Sequence, residues 1–186
     1  MQRVSSMHAQ DPLCENNLKT ICCYNTICCR KPSHDAASID SEKDKDTMKA
    51  VKTFNVLGEK VEILVTSAST NGSFNMLVHN APPGGGPPPH VHQFEDEIFT
   101  VMEGDFELFD GERYTRLEPG VPAYTLRNHP HTFRNSGTTD GKILVVAVGG
   151  KLDEYLETIS PLELPRDMDR LIQISAEYGI TFLPPS

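Results

Sequence analysis

The stretch GGGPPPHVHQFEDEIFTVMEG, residues 84–104, decides how the rest of the chain is read. Its glycines and prolines admit neither helix nor central strand, so the chain must cross from one element to another there. His90-Val91-His92 follows at once. On a strand, residues two apart point to the same face, so both imidazoles can project into one interior. Buried histidines need partners, and a shared metal supplies one for both. After a turn through Gln93-Phe94-Glu95-Asp96, Glu97 heads the next strand and can face the same point. Two imidazoles and a carboxylate form a facial set suited to iron, manganese, nickel or copper. Glu95 and Asp96 read as solvated turn residues.

Outward from this stretch the pattern is one of many short strands. Val61–Val65 and Phe74–His79 precede it, and Ile98–Met102, Phe106–Phe109, Tyr114–Leu117, Ala123–Leu126, His131–Arg134 and Ile143–Val148 follow. Gly104, Asp110-Gly111, Pro119-Gly120 and Gly137 punctuate them. Short strands with such turns favour a closed barrel or sandwich. Beyond residue 150 the period changes. Leu152, Tyr155, Leu156 and Ile159 sit at helical spacing, as do Met168, Leu171, Ile172, Ser175 and Tyr178. Two short amphipathic helices, packed on the barrel exterior or an oligomer partner, are expected.

A family resemblance now emerges. Gly84, His90-x-His92, Glu97 and Gly104 resemble the first conserved motif of cupins in full. Glu118-Pro119-Gly120 through His131-Thr132-Phe133-Arg134-Asn135 resembles the second, with Leu126 where proline is usual and Asn128 where glycine is usual. Asn tolerates the left-handed backbone, so that turn can survive. The resemblance implies an all-β double-stranded β-helix, the cupin or jelly-roll barrel. It implies one divalent transition metal held by His90, His92, Glu97 and His131, with zinc added to the four metals above. The HTFRN setting favours His131 over His129 as the ligand. Asn135 reads as a structural hydrogen-bonding group at a strand end, and His79 as unrelated to the metal. Phe74, Met76, Phe99, Val101, Phe106 and Phe133 are candidate apolar walls.

A narrower likeness lies in Gly84 to His92, in Glu95-Asp96-Glu97 and in the closing Tyr178-Gly179-Ile180-Thr181-Phe182-Leu183. These resemble single-domain cupins described as quercetin 2,3-dioxygenase-like. This implies a metal-dependent dioxygenase that uses O₂ on an enol-bearing aromatic, flavonol or polyketide-like molecule, with Glu97 as ligand and catalytic base. The alternatives are a non-oxidative cupin isomerase, decarboxylase or lyase, and a non-catalytic cupin that binds metal or a small molecule. Sugar-phosphate isomerisation is disfavoured, since Arg127 and Arg134 are the only cations near the motifs. A homodimer is also implied by the resemblance.

Composition bounds the remainder. The chain has 186 residues, with 26 acidic against 17 basic residues and a formal charge of -9, which disfavours nucleic acid. No apolar run approaches the ~20 residues of a membrane span. No secretory signal is evident, so a cytoplasmic protein is expected. Residues 1–50 read as a disordered extension, 51–150 as the barrel and 151–186 as a helical extension. The five cysteines, Cys14, Cys22, Cys23, Cys28 and Cys29, all fall in the first 29 residues, without finger spacing. Lipid anchoring through them is the alternative reading.

Overall fold

Strand residues alternate between the interior and the surface, as a barrel wall one residue thick requires. A computed structural model describes residues 48–184. The readings made for the cysteine-bearing segment lie outside the described residues. In chain order the elements are β1 (Lys52–Val56), β2 (Glu59–Val65), β3 (Phe74–Ala81), β4 (His90–His92), β5 (Asp96–Glu103), β6 (Phe106–Phe109), β7 (Tyr114–Arg116), β8 (Ala123–Thr125), β9 (Thr132–Asn135), β10 (Gly141–Val148), α1 (Leu152–Ile159), α2 (Met168–Glu177) and β11 (Ile180–Phe182).

Six strands form one antiparallel sheet in the order β1-β2-β3-β10-β5-β8. Opposite it stand the group β7-β6-β9 and the pair β11-β4. A bridge between His90 and His131 ties these two groups together. Ile143, Val145 and Ala147 of β10 alternate inward beside Phe99 and Val101 of β5, and they share one core with Phe106 of β6 and Phe133 of β9. The result is the expected all-β double-stranded β-helix.

Turn chemistry supports the closure. Asn128 adopts φ 65°, so the residue standing in for glycine does take the left-handed conformation. Asn135 ends β9 fully buried. Its Nδ2 donates to the carbonyls of Ala81 and Thr139 at 2.8 Å each, and its Oδ1 accepts from the Gly137 N–H at 2.9 Å. It is a structural group, as its position suggested.

The C-terminal region differs from the reading in two ways. First, the buried stripe of α2 runs through Leu171, Ile174 and Ser175, while Met168 and Ile172 are 42% and 54% exposed. The cause is a polar pin. Buried Tyr155 of α1 shares a 2.9 Å hydrogen bond with Ser175, whose Oγ also donates to the Leu171 carbonyl at 2.7 Å. Tyr155→Phe leaves the ring in place and removes this bond. Urea unfolding is expected to show a loss of about 1 kcal/mol.

Second, residues 151–186 are not purely helical, because β11 pairs with the ligand-bearing strand β4. Three residues are too few to show a period. α1 packs inward through Leu152, Tyr155 and Ile159 and closes one end of the barrel. No described helix is long and apolar enough to cross a membrane.

Candidate metal centre

Each of the four candidate ligands sits on an element whose neighbours fix it. His90 and His92 project from β4 to the same side, and both are buried. β4 is held along both edges. On one edge His90 and His131 exchange backbone hydrogen bonds of 3.0 and 2.9 Å, and the His92 carbonyl accepts from Asn128 at 2.7 Å. On the other, Phe182 and Ile180 of β11 pair with His90 and His92. Glu97 faces inward from β5, between Ala147 of β10 and Thr125 of β8. His131 enters just before β9.

These four residues converge. One potential ligand atom from each lies within 4.8 Å of all the others. The imidazole centroids are 4.6 to 5.4 Å apart. His129, the competing histidine, is exposed and outside the converging group, and its carbonyl oxygen accepts from His131 Nδ1.

The hydrogen bonds behind the rings settle which nitrogens face inward. His90 Nδ1 donates to the Pro88 carbonyl at 2.7 Å, and His131 Nδ1 donates to the His129 carbonyl at 2.9 Å. A carbonyl only accepts, so both rings have a proton on Nδ1 and turn Nε2 to the centre. His92 Nδ1 makes the corresponding bond to Glu95 Oε2 at 3.1 Å. At the centre, Glu97 Oε2 lies 2.6 Å from His131 Nε2 and 3.5 Å from His92 Nε2. Three inward nitrogens crowd one carboxylate oxygen, a donor set that fits a transition ion.

The electrostatics couple the four groups tightly. Burial, together with charge on His92 and His131, pushes His90 down to about 3, so its ring is neutral at physiological pH. Burial alone would raise Glu97. The charge on His92, the hydrogen bond from His131 and the other imidazoles outweigh it and hold the carboxyl at about 2. Burial also opposes a proton on His92, but Glu97 and Glu95 override it and raise that pKa. His90 and Glu97 thus have the protonation states that ligation requires, whereas His92 must give up a proton to an incoming ion.

Glu95 corrects the sequence reading. Instead of being solvated, it is 2% exposed. Its Oε2 takes the His92 Nδ1 bond, and its Oε1 accepts from the Lys151 backbone N–H at 2.9 Å. The turn after β4 is folded under the segment leading into α1, so a carboxylate from the turn reaches inward. It stands behind His92 as an orienting group. Asp96 is half-buried and paired with Arg127 at 2.7 Å, and Arg134 is paired with Glu107 at 2.7 Å. Both cations near the motifs are thus occupied by carboxylates.

The centre lies in the wall of a partly open cavity of about 120 Å³. Leu77, Phe99, Phe133 and Val145 form its apolar sides, and Leu152 and Tyr155 of α1 form its cap. Of the six proposed wall residues, Phe99 and Phe133 line it, whereas Val101 and Phe106 are core and Phe74 and Met76 lie elsewhere. Arg134, next to Phe133, points to solvent, as strand alternation requires. His79 is outside the ligand set but lines the same cavity.

No curated protein matches the chain. Among solved structures, the chain is similar to KdgF from Halomonas sp., with 19% identity over 55% of this chain and 90% of that one and a TM-score of 0.49. It is similar to a predicted oxalate decarboxylase from Thermotoga maritima, with 24% identity over 55% and 93% of the two chains and a TM-score of 0.46. It is also similar to the polyketide cyclase RemF from Streptomyces resistomycificus, with 26% identity over 55% and 72% and a TM-score of 0.43. Residues 77–147, which include all four converging side chains, match the family model described as Cupin domain. With a barrel of this topology behind it, that match supports placing the chain in the cupin superfamily.

Proposed function

We propose that the chain is a metal-dependent cupin enzyme that binds a small, enol-bearing molecule in its barrel and delivers it to oxidation by molecular oxygen. The observation that carries this reading is the buried set of three imidazoles and one carboxylate opening onto an apolar cavity. A barrel filled by its own side chains would have favoured a purely structural role.

His90, His92, Glu97 and His131 would hold the ion. A bound transition ion supplies Lewis-acid polarisation of an enolate and, for a redox metal, electron transfer with molecular oxygen. The protein's own share is binding and orientation. Phe99 and Phe133 flank the ligand set, with Phe99 6.1 Å from the His131 ring and 5.9 Å from the Phe133 ring. They would hold a flat, unsaturated substrate edge-on and exclude water. Glu97, ionised and facing the cavity, can take the enol proton on its carboxylate.

Size sharpens the substrate class. A dry cavity of about 150 Å³ accommodates benzene, so about 120 Å³ suits a single ring or a shorter enol. A three-ring flavonol exceeds it, so its outer rings would have to extend through the open side of the cavity. The test is metal analysis of protein purified without added metal, followed by oxygen uptake with iron-, manganese-, nickel- and copper-loaded forms. One-ring enols and short β-diketones are expected to drive uptake, and flavonols to do so at least about tenfold more slowly. Background uptake in every form rules out the oxidative reading. Substrate turnover without oxygen assigns the chain to the isomerase, decarboxylase or lyase alternative.

A further inference from the structure

A second ionisable pair lines the cavity outside the ligand set. Glu59 opens β2 and His79 projects inward from β3, two positions beyond Leu77 on the same face. His79 Nε2 is bonded to Glu59 Oε2. Glu59 has no freedom left, because its Oε1 accepts the Gly86 N–H at 2.9 Å. The glycine run makes this approach feasible. A β-carbon on Gly85 would fall 2.5 Å from Glu59 Oε1, and one on Gly86 would fall 2.2 Å from the Phe133 carbonyl oxygen. The His79 ring is further fixed edge-to-face on Phe133, at 5.2 Å between centroids.

This arrangement leaves one nitrogen available. With a carboxylate accepting at Nε2, the ring's proton sits there, and Nδ1 carries the lone pair. No described residue hydrogen-bonds Nδ1. An imidazole backed by a fixed carboxylate, with its other nitrogen free, is the arrangement that makes histidine an effective base. Glu59 also borders an exterior groove with Asn55, Gly58 and Lys60, so the pair reaches from the cavity to the outer surface.

We propose that Glu59 and His79 form a proton-transfer dyad serving the cavity. His79 Nδ1 takes a proton from a C–H or O–H acid bound there. The bonding pair stays on the substrate as an enolate, and the imidazolium is balanced by Glu59. The proton then leaves toward the outer groove or returns to another substrate atom, with no net oxidation. His79 is the catalytic member and Glu59 the positioning one. The proposal rests on the cavity being a substrate site, as in the function proposed above, but not on oxygen chemistry.

The experiment follows deuterium incorporation from D₂O into cyclohexanone, a ring-sized C–H acid, by proton NMR. It uses the full metal-loaded chain. The wild-type chain is expected to accelerate exchange over buffer. His79→Leu, or His79→Gln should leucine disturb the wall, should lose at least about a hundredfold of that acceleration while keeping the full metal content. Glu59→Gln removes the charge but keeps an acceptor for the Gly86 N–H. It is expected to lower the maximal rate about tenfold with little change in the half-saturating ketone concentration, a split that a collapsed wall would not give. Two outcomes overturn the dyad: no acceleration by the wild-type chain, or undiminished acceleration by His79→Leu with metal intact. If exchange depends on His79 while oxygen uptake stays at background, only the oxidative reading fails.

Discussion

His92→Ala is expected to yield a folded barrel that retains metal at least about a hundredfold more weakly than the wild-type chain. Loss of orienting groups behind a ligand already costs about 10–100-fold, and His92 is proposed as a ligand itself. Its removal takes away one of three inward nitrogens and strips Glu95 of its imidazole partner. A buried carboxylate without that partner also lowers stability. His92→Gln therefore belongs beside it, because the amide restores a donor toward Glu95 while providing a much poorer ligand. Elemental analysis after dialysis measures retention, and far-ultraviolet circular dichroism measures folding. His129→Ala, from an exposed position, should keep its metal. Full occupancy in both His92 variants would remove His92 from the ligand set.

Gly150→Ala should weaken the centre without touching a ligand. Gly150 adopts φ 55°, and a β-carbon there would lie 1.8 Å from Glu95 Oε1 and 2.2 Å from its Cδ. The strained backbone alone costs about 1–3 kcal/mol. Glu95 must also swing away, giving up the Lys151 N–H and the His92 ring. We expect a total loss of about 3 kcal/mol, seen as a Tm lower by roughly 10 °C. Metal affinity should fall about 10–100-fold because the His92 ring is no longer oriented. Glu95→Ala in the Gly150→Ala background should then add little further loss of affinity, since both act through one contact. Additive losses would show that Gly150 acts by another route.

The sequence discloses parts of this site unevenly, and the reason is physical. His90, His92 and Glu97 lie within eight residues, so strand alternation and one turn suffice to bring them together. His131 needs long-range pairing with β4, which alternation cannot supply; only the motif resemblance pointed to it. Glu95 shows the limit of reading polar turn residues as solvated, because its burial depends on a backbone N–H at Lys151, 56 residues away. The signal that could have found it is Gly149-Gly150, a pair of positive-φ glycines where another group must come close. Glu59 and His79 escape notice for the same reason, since they meet only through the β2–β3 register. Among the strands, the long ones were plain in the alternation, whereas β11 was hidden by its brevity and by the helical period just before it.

The placement of β11 bears on when the centre can first exist. Synthesis proceeds from the N-terminus, and β4 emerges long before either of its neighbours. A nascent chain that has cleared the ribosome through residue 125 holds three of the four converging side chains, but two of them, His90 and His92, sit on a strand with both edges bare. His131 then supplies one edge, and only Ile180–Phe182 supplies the other. Capture of an ion by a half-built chain would therefore be weak and loosely coordinated. Under the proposed metal site, selection among competing ions would then fall to the finished barrel, once residues 180–182 have been translated.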